Sequence, residues 1–145
     1  MKLVLGTANL NQNYGLLKQK TDFKESLRIL SFAKNKIEYI DTASGYKGFN
    51  KLVKNYNLDK FQINTKLYKI RGNSFKKIKK NINDDVNYYL NLNKKKKINI
   101  LFLHRQKIIL SKKKGINILK VLKNLKKRKK INYYGYSVYS PNEIK

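Results

Sequence analysis

Residues 37–46 read IEYIDTASGY, an apolar run that stops at Asp41 and is followed five residues later by Tyr46. Ile37, Tyr39 and Ile40 suit a short buried strand, and Thr42, Ser44 and Gly45 are turn formers that carry the chain out into a loop. Asp41 is therefore expected at the C-terminal end of a strand, with Tyr46 just beyond it. In sheets and barrels of parallel strands, ligands bind and chemistry is done at that end. A lone aspartate after a strand is more often a turn former or helix cap. Here three later strands also end in polar groups suited to the same chemistry.

Outward from this stretch, strands and helices alternate. Lys2 to Leu5 reads as a first strand, running into Gly6, Thr7 and an Asn-rich loop that ends at Gly15. A helix follows, with Asp22 and Glu25 as a capping pair, an apolar stripe of Phe23, Leu27, Leu30 and Ala33, and an end near Asn35. Beyond Tyr46 a short helix from about Phe49 to Tyr56 turns Leu52 and Val53 inward, and Phe61 to Thr65 reads as a third strand with Lys66 at its end. Ser74 caps the longest helix, in which Phe75, Ile78, Ile82, Val86, Tyr89 and Leu90 repeat at helical spacing up to about Asn91. The run Ile98 to Leu103 is a nearly continuous apolar strand of the kind buried on both faces, and it ends at His104. A helix from about Gly115 to Lys129, with Ile118, Leu122 and Leu125 on one face, leads to a fifth strand, Tyr133 to Ser137. Ser140 and Pro141 read as the start of another helix.

Length and composition set bounds on function. The 145 residues, with one Pro, no Cys and 41% hydrophobic residues, make one domain over 1–145 with a modest core. The absence of Cys excludes disulfides and thiolate metal sites, and no metal site is expected. No apolar run is long enough for a signal peptide or a membrane span, so the chain is expected to be cytoplasmic, with no membrane partner. The 35 Lys and Arg against 8 Asp and Glu give a formal charge of +27, which attracts nucleic acid backbones without any dedicated site. The clusters Lys94 to Lys97 and Lys126 to Lys130 are the candidate patches. Because the lysines run along almost the whole chain among many Asn, Ile and Tyr, and no zinc-finger spacing or aromatic RNA-binding motif accompanies them, a solvated surface is favoured and no specific nucleic acid is expected.

The order strand, helix, repeated, gives an α/β fold with a parallel sheet and helices outside, either doubly wound or part of an eight-fold barrel. Periodicity does not choose between these. The turn after the first strand, GTANLNQNYG, matches neither GxGxxG nor a P-loop.

Five strings in series carry a family resemblance: LGTANLNQNYG after strand one, YIDTASGY at strand two, INTK at strand three, LFLHR at strand four and YYGYSVYSPNEI at strand five. Together they resemble the aldo-keto reductases, more narrowly the bacterial branch whose first strand is followed by a segment ending in Tyr-Gly. The resemblance runs over Met1 to Lys145. It implies an incomplete (β/α)8 TIM-type barrel of about five parallel strands with outer helices, using NADPH or NADH without a Rossmann domain, and reducing a small carbonyl substrate, an aldehyde or ketone, to an alcohol.

The family's catalytic tetrad then falls on Asp41, Tyr46, Lys66 and His104. The resemblance makes Tyr46 the proton donor and His104 the group that orients the substrate oxygen. A phenol has a reference pKa of about 10. The expectation is that Lys66 lowers it by stabilising the phenolate while Asp41 holds the ammonium. Ser137 would bond the nicotinamide carboxamide, and Gly6, Thr7 and Asp41 would border the cofactor. Lys47 and Asn50 stand where many relatives have Gly and Glu, and Val138 where many have Asn, so the shape of the loop after Tyr46 and one cofactor contact depart from the pattern.

A barrel of this type needs about 250 residues. The sequence is therefore expected to be a fragment or truncated form lacking a C-terminal half barrel and most of the dinucleotide site, and to be poorly stable alone because its edge strands are unpaired. Two alternative functions remain compatible with the sequence: an inactive truncated barrel with a structural role, and a nonspecific cationic nucleic-acid binder.

Overall fold

A computed structural model describes residues 3–15, 21–67, 69–104, 112–138 and 140–141. The strands are β1 (Val4–Gly6), β2 (Tyr39–Asp41), β3 (Gln62–Leu67), β4 (Ile98–Leu103) and β5 (Ile131–Tyr136). Between them lie helices α1 (Phe23–Ala33), α2 (Lys47–Leu52), α3 (Phe75–Leu92) and α4 (Lys112–Lys127). All neighbouring strands pair in parallel, in the order β1-β2-β3-β4-β5. That order settles what periodicity left open: a doubly wound sheet reverses its strand order at a switch point, whereas a barrel adds strands in sequence. The sheet is five-eighths of a barrel wall.

The helical stripes explain the core. In α3, Ile78, Ile82, Val86, Tyr89 and Leu90 are all buried. Together with Ile118, Leu122 and Leu125 of α4 they pack on Leu67, Leu101, Leu103 and Ile131 of the sheet. A second cluster joins Leu30 of α1, Phe49 and Leu52 of α2, and Ile40 and Ile63 of β2 and β3. Across β3, β4 and β5 runs a polar row within this apolar wall. Asn99 Nδ2 donates to Asn64 Oδ1 at 2.9 Å, and Asn132 Nδ2 donates to Asn99 Oδ1 at 3.2 Å.

Several boundaries move. The first strand begins later than expected, at Val4, and Lys2 lies outside the described residues, as does the helix expected beyond Pro141. α2 starts at Lys47 and stops at Leu52, β3 continues through Lys66 to Leu67, α4 starts at Lys112 and β5 at Ile131. Phe23 and Phe75 do not join their stripes: each opens its helix and remains 39% and 44% exposed. In α1 the buried face is Ser26, Leu30 and Ala33, and Ser26 is accommodated because its hydroxyl donates to Asp22 O at 2.6 Å. Both expected caps form, Asp22 accepting from Glu25 N at 2.7 Å and Ser74 from Lys77 N at 3.3 Å.

Candidate functional site

Parallel pairing brings every strand's C-terminal end to one edge, and the register sets the order of side chains there. Gly6 pairs with Asp41, Asp41 with Asn64, and Leu67 with Leu103, which pairs with Tyr136. Past the strands the ladder continues one step: Thr7 N donates to Asp41 O at 3.0 Å, Thr42 N to Asn64 O at 2.9 Å, His104 N to Leu67 O at 3.2 Å and Ser137 N to Leu103 O at 2.9 Å. The backbones of the expected site residues are thereby fixed to one another.

Asp41 closes β2 and Lys66 stands two residues higher on the neighbouring strand than the Asn64 that Asp41 faces. The lysine reaches back, and its Nζ forms an ion pair with Asp41 Oδ1. The pair is largely shielded, with side chains 16% and 32% exposed for Lys66 and Asp41, so the Coulomb attraction is stronger than between surface charges. Thr7 is fully buried and gives both its N–H and its hydroxyl to Asp41 O. Its side chain braces Asp41.

Tyr46 is half-buried at the start of α2, its N–H bonded to Ala43 O at 2.9 Å. The ring of Tyr14, from the loop after β1, meets it edge-on, centroids 5.2 Å apart at 73°. The Tyr46 phenol is pushed above its ordinary value of 10.0, first by burial, then by the Tyr14 hydroxyl, and further by the Asp41 carboxylate and Tyr89. This corrects the sequence expectation. Burial and the Tyr14 hydroxyl dominate, the net shift is upward, and Tyr46 keeps its proton through the neutral range.

His104 follows β4 directly and Ser137 follows β5, both half-buried. Gly6 faces open space, with no atom within 4 Å of where a Cβ would stand. The structure thus unites Asp41 with Lys66, places Tyr46 within electrostatic reach of Asp41, and sets His104, Ser137 and Gly6 along the same edge. Sequence reasoning missed Tyr14, and it missed Gln12 and Gly48, which lock the β1 loop to α2. Gly48 was the one available signal, since a glycine inside a short helix usually has a packing reason.

The lysine clusters are partly used in the fold. Lys95 Nζ donates to Asp59 O at 2.8 Å, and burial lowers its pKa. Lys126 lies over the Tyr133 ring at 5.5 Å. None of the described helices is long and apolar enough to cross a membrane.

A sequence model of the Aldo/keto reductase family matches residues 2–145. No curated protein sequence matches. Among solved structures, an aldo-keto reductase from Pseudomonas aeruginosa superposes with a TM-score of 0.68 at 21% identity, over 92% of this chain and 54% of that one. One from Bacillus halodurans, in its holo form, gives 0.67 at 23% identity over 99% and 48%. One from Klebsiella pneumoniae, in complex with NADPH, gives 0.68 at 18% identity over 97% and 46%. The chain spans about half the length of these structures.

Proposed function

Because this chain belongs to the aldo/keto reductase family, we propose that its strand-end site carries the reduction of an aldehyde or ketone to an alcohol with NADPH or NADH, Tyr46 giving the proton. The observation that carries this reading is the shielded Asp41–Lys66 ion pair beside a half-buried, protonated Tyr46. The residues fit the nicotinamide end of such a cofactor: Gly6 leaves room beside Asp41, and Ser137, held by its N–H to β4, has a hydroxyl for the carboxamide. The reduced nicotinamide supplies a hydride to the carbonyl carbon.

This chain's residues do the rest. Tyr46 donates a hydrogen bond, then its proton, to the carbonyl oxygen as charge grows there. The phenol is protonated when substrate arrives and is a stronger acid than the alcohol it forms, while its upward shift makes it a weaker acid than a free phenol. Solvent returns the proton to the phenolate left behind. Asp41 prevents the lysine from swinging away, with its backbone fixed by Thr7. His104 orients the carbonyl from the end of β4, a positional contribution of the kind that converts an encounter into a reactive geometry.

The sheet edges support a second part of the proposal, that further strands close the barrel. Neither Val4–Gly6 nor Ile131–Tyr136 contains a charged residue, although 30% of the chain is charged. Val4 and Tyr133 are 48% and 60% exposed. Unpaired edges usually carry lysine or proline to prevent association, so these are edges suited to pairing. The test is dinucleotide affinity: the 145 residues alone should quench weakly on NADPH titration, and the chain joined to a complementary half barrel should bind tightly and consume NADPH with a carbonyl substrate. Tight binding by the 145 residues alone, or no consumption by the closed form, would refute the proposal.

A further inference from the structure

The helix that carries Tyr46 begins without a cap of its own. Tyr46 occupies the N-cap position at φ −84° and ψ 75° and makes no side-chain capping bond, and a phenol is too long to turn back onto the first helical N–H groups. Those groups need acceptors. One comes from 36 residues earlier: Gly48 N donates to Gln12 Oε1 at 2.7 Å. The other end of the same amide, Gln12 Nε2, donates to Ala8 O at 2.8 Å. The carbonyl of Ala8 can only accept and the N–H of Gly48 can only donate, so the Gln12 amide has one orientation that satisfies both.

Gly48 is also where the two segments touch. A Cβ there would stand 2.4 Å from Asn11 O and 2.6 Å from Leu10 O. Asn11, in the left-handed region at φ 56°, adds a longer bond from Nδ2 to Gly48 O at 3.5 Å. The loop that presents Tyr14 to the Tyr46 ring is therefore fastened to the first turn of the helix that presents Tyr46. A six-residue helix has little stability of its own, and its start depends on this fastening.

We propose that Gln12 is a positioning residue, a cap supplied from the β1 loop that fixes where Tyr46 and Tyr14 stand relative to Asp41. Its catalytic consequence rests on the reading of Tyr46 as proton donor; its geometry does not. Gln12 holds the helix start, the helix start holds the Tyr46 ring, and the ring keeps its burial and its Tyr14 partner. A glutamate at position 12 retains the acceptor for Gly48 but loses the donor for Ala8, and an alanine loses both.

The test is nuclear magnetic resonance of the 145-residue chain bearing Gln12→Ala or Gln12→Glu, reading amide exchange at Gly48 and the pH titration of tyrosine Cζ signals. Tyr46 is identified by the signal missing from Tyr46→Phe. Exchange at Gly48 should rise roughly fivefold to tenfold in Gln12→Ala, as expected for one lost hydrogen bond, and less in Gln12→Glu. The Tyr46 phenol should titrate closer to its ordinary 10.0 in Gln12→Ala, since burial and the Tyr14 hydroxyl are the main causes of its rise. Tyr89, raised by burial in α3, should not move and so reports any general loosening. If Gln12→Ala loosens the whole fold, Gln12→Glu, which keeps the Gly48 acceptor, should bring Gly48 exchange and the Tyr46 titration back towards wild type. Unchanged Gly48 exchange and Tyr46 titration in Gln12→Ala, or Tyr46 and Tyr89 shifting together in both variants, would overturn the assignment. None of these readings depends on turnover, so a failed clamp and a failed proton donor are told apart.

Discussion

Gly48→Ala sets two physical effects against each other. Gly48 lies in the first turn of α2, where helix propensity alone makes alanine the better residue by up to about 1 kcal/mol. The packing says the opposite. The added Cβ would meet three backbone atoms of the β1 loop, Asn11 O at 2.4 Å, Asn11 C at 2.6 Å and Leu10 O at 2.6 Å. No rotamer can relieve a clash with backbone, so the loop must retreat by about 1 Å to reach ordinary contact, which breaks the bond between Gln12 and Gly48. Overpacking of this kind costs about 1–3 kcal/mol and the hydrogen bond about 1 kcal/mol more. Set against the propensity gain, the net loss is about 1–3 kcal/mol, a fall in melting temperature of roughly 4–12 °C for a chain of this length. Gly45→Ala is the control, since nothing lies within 4 Å of its Cβ position. Thermal unfolding followed by circular dichroism decides it: a Gly48→Ala melting temperature at or above wild type would show that the loop does not seat on α2 as described.

Asp85 in α3 has its pKa raised above 3.8, mainly by burial and then by Asp84, with Arg71 opposing. A raised carboxylate pKa means that the fold favours the protonated form, so its contribution to stability is present at low pH and lost as pH rises through the folded value. Asp85→Asn should therefore raise the melting temperature at neutral pH, with the gain shrinking as the pH falls below the carboxylate range; a lower melting temperature at neutral pH would contradict this. Binding to unrelated DNA should be weak, indifferent to sequence and steeply reduced by salt, because it rests on dispersed lysines. A filter-binding titration with a preferred sequence persisting at high salt would contradict that expectation.

The sequence carried the fold wherever one period dominated. The stripe Ile78, Ile82, Val86, Tyr89 and Leu90 was legible because a long helix repeats its apolar face many times, and Ile98 to Leu103 because a buried parallel strand is nearly all apolar. Boundaries were legible only where a side chain marks them, as at Asp22 and Ser74. Phe23 and Phe75 fit their stripes by spacing but open their helices and stay exposed. The choice between barrel and doubly wound sheet was invisible locally, because strand order is a property of pairing across the whole sheet. Of the site, Asp41 and His104 were legible as strand ends. The direction of the Tyr46 shift was not, since it depends on burial and on Tyr14, a contact between distant segments. The Gln12 clamp spans 36 residues and leaves no local pattern.

Whether Tyr46 gives the proton at a site ordered by Asp41 and Lys66 is decided by the turnover of Tyr46→Phe in the chain closed by a complementary half barrel. Phenylalanine keeps the ring and its packing against Tyr14 but removes the hydroxyl. NADPH affinity should persist while kcat falls by about 10² to 10⁴, the range for losing a general acid. Turnover near the wild-type rate, or loss of cofactor binding together with activity, would contradict the account.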